Sequence, residues 1–349
     1  MTSQSLDFDA EWLEADGLGG FASGAVSGIR TRRYHALLLA ATRPPAGRMV
    51  LVNGFDAWVE TPDGTVEISS QRYAPDVIHP RGCDRIAGFE PEPWPHWSYD
   101  LGGGCLLEQE IFVPYERAAV ALRWRLRGGA AGPVKLFVRP FLSGRDFHST
   151  HHENAGFNFA ASITGEVVAW HAYLNVSDVL ARSNGRYENR PEWYRQFAYA
   201  EEQARGLDFL EDLASPGVFI FDLAEGDAEL TFATQEHKSL FARTVSELAA
   251  DERARRAAFA TPLHRAADAY FVRRGAGRTL IAAIRGSATG GATRSSRCGA
   301  SAWPRGGSRT RAAFSRNGPA SSPRACFRIS SPMAAARRNT TPSMPRCGM

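Results

Sequence analysis

Three segments carry residue types that can do chemistry. Arg30-Thr31-Arg32-Arg33-Tyr34-His35 sets three guanidinium groups, a phenol and an imidazole just ahead of an apolar run. Bidentate donors suit hydroxyl groups and flat rings suit C–H faces, so Arg33, Tyr34 and His35 form a candidate set for a polyhydroxylated ligand. The same residues also suit an ion-pair network with Glu11, Glu14 and Asp16 around a core tyrosine, and both readings stay open. Trp94, Trp97 and Tyr99, interleaved with Pro91, Pro93 and Pro95, form an aromatic loop able to stack on a ring ligand or to pack as a buried edge. Arg145-Asp146-Phe147-His148, followed by His151, His152 and Glu153, has the residue types of a metal cluster. Adjacent side chains on a strand point to opposite faces, so His151 and His152 do not converge there. No metal is expected; a polar loop at a domain interface is, with Asp146 and His148 as ligand-binding candidates.

Other motifs carry less. Asp16-Gly17-Leu18-Gly19-Gly20 is glycine-rich, but no strand precedes it and no Lys-Ser/Thr follows it, which argues against a phosphate loop. Glycines in such a turn permit positive φ or close backbone approach. The five cysteines, Cys83, Cys105, Cys298, Cys326 and Cys347, form no CxxC pair, so neither a disulfide framework nor zinc is expected, and no cofactor is implied.

The elements that must position these residues read as mainly β. Val120, Leu122, Trp124 and Leu126 alternate with Arg123, Arg125 and Arg127, the period-2 pattern of an antiparallel strand. Ala36–Ala40, Met49–Val52, Val66–Ser69, Leu106–Val113, Val134–Val138, Val167–Val176, Val218–Leu223 and Glu229–Thr234 are further strand candidates. Turn signals such as Pro62-Asp63-Gly64 and Ser215-Pro216-Gly217 separate them, which favours a large antiparallel β-sandwich over a βαβ fold. Pro191 at an N1 position and Gly206 as a stop predict one helix over 193–204. Ser239–Ala258 and Leu263–Arg274 read as two more helices.

The 349 residues carry a net charge of +4, but the sign is uneven. From Arg285 onward there are 12 Arg and no Lys, Asp or Glu, leaving 29 basic against 37 acidic groups before it. That tail has no Leu, Val or Tyr and one Ile, so it cannot offset its ordering entropy by burial and is expected to be disordered. No apolar run approaches the roughly 20 residues of a membrane helix. The N-terminus, acidic and without an apolar stretch, points to the cytoplasm. A nucleic-acid role for the tail is not expected: it has no Lys, and its aromatics are only Trp303, Phe314 and Phe327.

Residues 11–41, EWLEADGLGGFASGAVSGIRTRRYHALLLAA, resemble the N-terminal signature of the prokaryotic glycogen debranching enzymes, or amylo-α-1,6-glucosidases. The resemblance continues through PPAGRMVLVNGFDAWVE (44–60), FEPEPWPHWSYD (89–100), RPFLSGRDFH (139–148) and RGLDFLEDLASPGVF (205–219), and covers about 8–282. It implies an N-terminal β-sandwich over 1–250, then the first one or two helices of an α/α-barrel glycosidase domain over 251–282. It further implies glycogen or a branched α-glucan as partner, with Gly19 and Gly20 near the glucan. In that family the chain after an RTLIAG-like stretch continues much like YPWFGDWGRDTFIAL. Codons permissible for residues 282–298, read one frame along, give GYPWFGDWGRDTFIAL, and residues 330–348 likewise allow FPDGGGEAEYNSVDAALW. Residues 283–349 are therefore read as an out-of-frame tail following a frameshift. Glycoside hydrolysis needs two carboxylates roughly 5–10 Å apart. On the family pattern these come from the barrel, so no catalytic residue is expected in this chain. Glu201, Glu202, Asp208, Glu211 and Asp212 are expected to be solvated helix and turn residues. The alternative to an enzyme fragment is a non-catalytic glucan-binding module.

Overall fold

The computed structural model describes residues 6–129 and 132–281. The tail expected to be disordered lies outside the described residues. Two antiparallel sheets dominate. The larger runs β1 (Glu11–Ala15), β2 (Phe21–Ala25), β3 (Ala36–Arg43), β4 (Ala46–Thr61), β12 (Lys135–Asp146), β17 (Leu210–Asp222), β16 (Arg186–Ala198), β6 (Ser70–Tyr73), β7 (Val77–Arg81), with β5 (Gly64–Glu67) pairing on β4. The smaller runs β13 (Ala161–Thr164), β14 (Val167–Trp170), β15 (Val179–Ser183), β18 (Ala228–Thr234), β11 (Ala119–Arg127), β10 (Cys105–Phe112), β9 (His96–Gly102), β8 (Ile86–Glu90). This is the mainly β, antiparallel architecture that the alternating patterns predict.

The core lies between the sheets. Val120, Leu122 and Trp124 of β11 meet Leu136 and Val138 of β12 and Phe219 and Phe221 of β17 there. β11 departs from a half-buried strand, because its other face is covered too. Ala119, Ala121 and Ala233 are small enough to admit a helix, and α2 (Val245–Ala257) packs there through Val245, Leu248 and Ala249. These positions recur at helical spacing, and a Thr244–Glu247 capping box fixes the helix start.

Four expectations need correction. Residues 193–198 belong to β16, and only the short α1 (Ala200–Ala204) is helical. Pro191 sits where the β16–β17 register shifts between Asn189 and Glu192, a bulge that needs no proline N–H. Pro216-Gly217 runs inside β17 rather than turning the chain. The strand expected over 167–176 ends at Trp170. The last predicted helix stops early: α3 (Pro262–Asp268) is followed by a hairpin, β19 (Phe271–Arg274) and β20 (Gly277–Leu280). Val272 and Ile281 pack on Phe21, Leu39 and Val50 on the outer face of the larger sheet. No helix among the described residues is long and apolar enough to cross a membrane.

Candidate functional site

The turn before β3 and the end of β12 bring two distant motifs together. The Tyr34 hydroxyl lies 3.0 Å from His148 Nδ1. The Tyr34 ring also meets the imidazole edge-on at 5.7 Å and Phe147 at 5.7 Å. The Arg33 guanidinium sits 5.4 Å from the centre of the Tyr34 ring. An Asx turn, His148 N donating to Asp146 Oδ1 at 2.8 Å, sets the imidazole. Asp146 and His148 are exposed, Arg33 is half-buried, and Tyr34 is buried behind them.

A buried ion pair holds this cluster. Arg145, the residue before Asp146, pairs with Glu211 of β17, and both are buried. Arg145 Nη2 also donates to the Arg33 carbonyl at 2.7 Å, tying the two motifs directly. Glu211 further accepts from Asn53 Nδ2 at 3.2 Å, from the His151 amide at 3.0 Å and from the Tyr199 hydroxyl. Burial opposes the charge on Arg145, yet the facing Glu211 outweighs it and raises its pKa. This hub has no periodic signature, and the expectation of solvated acids is wrong for it. Glu202 is likewise fully buried, with Oε1 accepting from the Arg33 amide at 3.4 Å. No local signal in the sequence marks these two carboxylates for burial, since Arg195 and Arg205 lie near them as they would near solvated acids.

The other candidates are placed differently. His35 is fully buried; its Nδ1 accepts from the Thr31 amide at 3.2 Å and its Nε2 lies 3.2 Å from Glu11. With the Arg32–Glu11 pair at 2.6 Å, this realises part of the ion-pair reading. Glu14 instead pairs with Arg256 of α2, burial raising its pKa while Arg256 opposes the rise. Gly19 has φ +107°, and a Cβ on Gly20 would collide with the Leu39 carbonyl and the Asp16 carboxylate. Asp16 caps this turn by accepting from the Leu18 and Gly20 amides at 2.7 and 2.9 Å. Its Oδ2 has no donor, and burial pushes its pKa up to about 7. The glycine turn reaches the Tyr34 cluster through Arg48, which feels the Asp16 charge and lies 5.5 Å from the Phe147 ring.

Trp94 is 1% exposed, stacked on Phe112 under α2 with Arg253 and Arg256 against its ring, which leaves no free face for a sugar. Trp97 is buried between the sheets, its Nε1 donating to the Val26 carbonyl at 2.9 Å. His151 bonds the Asp212 carbonyl and the Tyr173 hydroxyl, and burial lowers its pKa, so it is a neutral structural residue. His152 points instead toward Asp208 and Asp212, at 3.9 and 3.8 Å. No metal-ligand group of three or more occurs among the described residues.

Chemically, the exposed imidazole and carboxylate and the half-buried Arg33 guanidinium can donate to and accept from hydroxyl groups. They do not make a hydrolytic pair. Asp146 is exposed, while Glu202 and Glu211, the other carboxylates bordering the cluster, are fully buried against arginines.

The family model described as glycogen debranching enzyme N terminal matches residues 10–229. Among solved structures, a bacterial glucoamylase complexed with acarbose is similar at 9% identity and TM-score 0.33, over 73% of this chain and 38% of that one. This chain thus spans well under half the length of that structure. No curated protein sequence matches significantly.

Proposed function

The chain belongs to the glycogen debranching enzyme N-terminal family, and from that premise we propose that it is the sandwich portion of a hydrolase for α-1,6-glucosidic branch points, able to contact an α-glucan but not to cleave it. The domain reading goes with it: a sandwich over 1–250, the start of an α/α barrel over 251–282, and an out-of-frame tail over 283–349. The observation that carries the proposal is the pairing of an exposed hydroxyl-binding cluster with carboxylates that are buried and committed to arginines. Hydrolysis needs one carboxylic acid to protonate the leaving oxygen and a second carboxylate to activate water. On this reading WGRD and EYNSVD, which permissible codons allow in the neighbouring frame, would be the strings that carry the barrel's acids.

Two experiments test this. Electrophoresis through a glycogen-containing gel should retard the chain, and His148→Ala with Arg33→Ala should relieve the retardation; unretarded migration of the parent chain would refute glucan contact. The nucleotide sequence tests the frame: if the bases after codon 282 do not encode barrel motifs in the adjacent frame, the frameshift is wrong.

A further inference from the structure

Helix α1 is five residues long and clasps the turn that presents Arg33 and Tyr34. Its Glu201 amide donates to the Thr31 carbonyl at 3.0 Å, and Arg32 pairs with Glu201 at 3.1 Å. The next residue, Glu202, accepts from the Arg33 amide at 3.4 Å. These contacts hold Glu202 against the turn, where it is fully buried.

Of the three arginines in that turn, Arg33 is the one seated on the Tyr34 ring. Among the described residues its guanidinium donates to no protein acceptor, and Glu202 is the carboxylate within ion-pair range, 3.9 Å from Nε. That separation is too long for a hydrogen bond, and Glu202 Oε2 accepts none. Charge reaches further. A guanidinium and a fully buried carboxylate at this distance attract strongly and are poorly screened by salt. Arg33 therefore keeps its N–H groups unspent while its charge is matched by Glu202. Its neighbours repeat the balance. Arg32 is matched by Glu11 and Glu201, and Arg145 by Glu211. Arg205, 3.8 Å from Glu202, is shared with Glu201 at 3.6 Å. An uncharged hydroxyl needs only the free donors. An anion meets the same donors without the net positive charge that would repay its desolvation.

We propose that Glu202 sets the ligand preference of the Tyr34 cluster: it positions Arg33 and cancels its charge, so that uncharged hydroxyl groups are held and anionic polysaccharides are not. The proposal rests on the glucan reading above and deepens it, giving a positioning and specificity role to a residue that itself touches no ligand.

Two affinity gels test this on the full chain, one containing glycogen and one containing dextran sulfate, a polyanionic glucan. Glu202→Gln keeps the shape of the side chain and removes its charge. Its retardation by glycogen should fall, because an amide N–H then competes for the space beside Arg33. Its apparent affinity for dextran sulfate should rise about tenfold, because Arg33 loses its counter-charge. A merely structural role would lower both. The 12 arginines from Arg285 onward are common to every variant and cancel in the comparison. Adding Arg33→Ala to Glu202→Gln should abolish the gain, and Glu202→Asp, which keeps the charge on a shorter arm, should show none. Equal losses on both gels, no change on either, or a gain that survives Arg33→Ala would overturn the proposal. Circular dichroism melts check the fold of each variant. Should Glu202→Gln not fold, the parent chain supplies the test: added salt should leave its retardation by glycogen unchanged, and release by salt would overturn the charge balance. The two readings fail separately. A parent that glycogen does not retard loses the surface contact, while the dextran sulfate comparison still decides the role of Glu202. A retarded parent whose Glu202→Gln variant shifts the same way on both gels keeps the contact and loses that role.

Discussion

At the scale of single residues, what the motifs signalled and what they do differ instructively. Arg33, Tyr34, Asp146 and His148 were legible as candidates because charged and aromatic residues cluster in both motifs, and the fold brings Tyr34 within hydrogen-bond range of His148 with Arg33 over its ring. Glu211 was not legible, because burial by strands remote in sequence leaves no local pattern. Its partnership with Arg145 makes a direct prediction. Glu211→Gln leaves a guanidinium buried without its counter-charge and should cost about 3–5 kcal/mol, read as a shift in urea midpoint. Replacing both partners with apolar residues should cost less than either single change. Asp16 gives a pH signature. Its pKa rises from 3.8 to about 7, so between those values the folded chain holds a proton that the unfolded chain has released. Stability from this group is therefore highest near pH 4, falls as pH rises to 7, and is level above. The span is about 3 pK units, or about 4 kcal/mol. Asp16→Asn keeps the acceptor for Leu18 and Gly20, and should flatten this slope in denaturation series at pH 5 and pH 8. An unchanged slope would show that Asp16 is already ionised.

At the scale of elements, alternation was the reliable guide. The β11 pattern located the core face, and the run of small residues on its other face was the unread sign of a covering helix. Composition and end signals failed at 193–198 and 271–274, where they suited a helix but tertiary pairing held strands. α2 should be needed for the smaller sheet. Leu248→Ala removes a 4%-exposed side chain and should destabilise by about 2–4 kcal/mol, whereas Thr244→Ala, losing only the cap, should cost about 1 kcal/mol; thermal melts separate the two. The hairpin has two apolar faces. Val272 and Ile281 are buried, but the paired Phe271 and Leu280 are 39% and 44% exposed, and Leu263 is 76% exposed. Such a patch favours self-association. Phe271→Ser with Leu280→Ser should raise the monomer fraction in sedimentation velocity without lowering the melting temperature; an unchanged distribution would show that the patch is not sticky.

At the scale of the whole molecule, the account separates holding a glucan from cutting it. In the proposed reading the Tyr34–His148 cluster contacts the glucan, while Glu202 and Glu211 stay buried against arginines. In the same proposed reading hydrolysis would belong to a helical domain, with its acids in the neighbouring frame. The measurement that tests this most directly is the release of reducing ends from a branched α-1,6-linked dextrin by the purified chain. The account predicts retention in a glycogen gel with no turnover above the uncatalysed background. Steady debranching by this polypeptide, abolished by a single carboxylate substitution within it, would contradict the account.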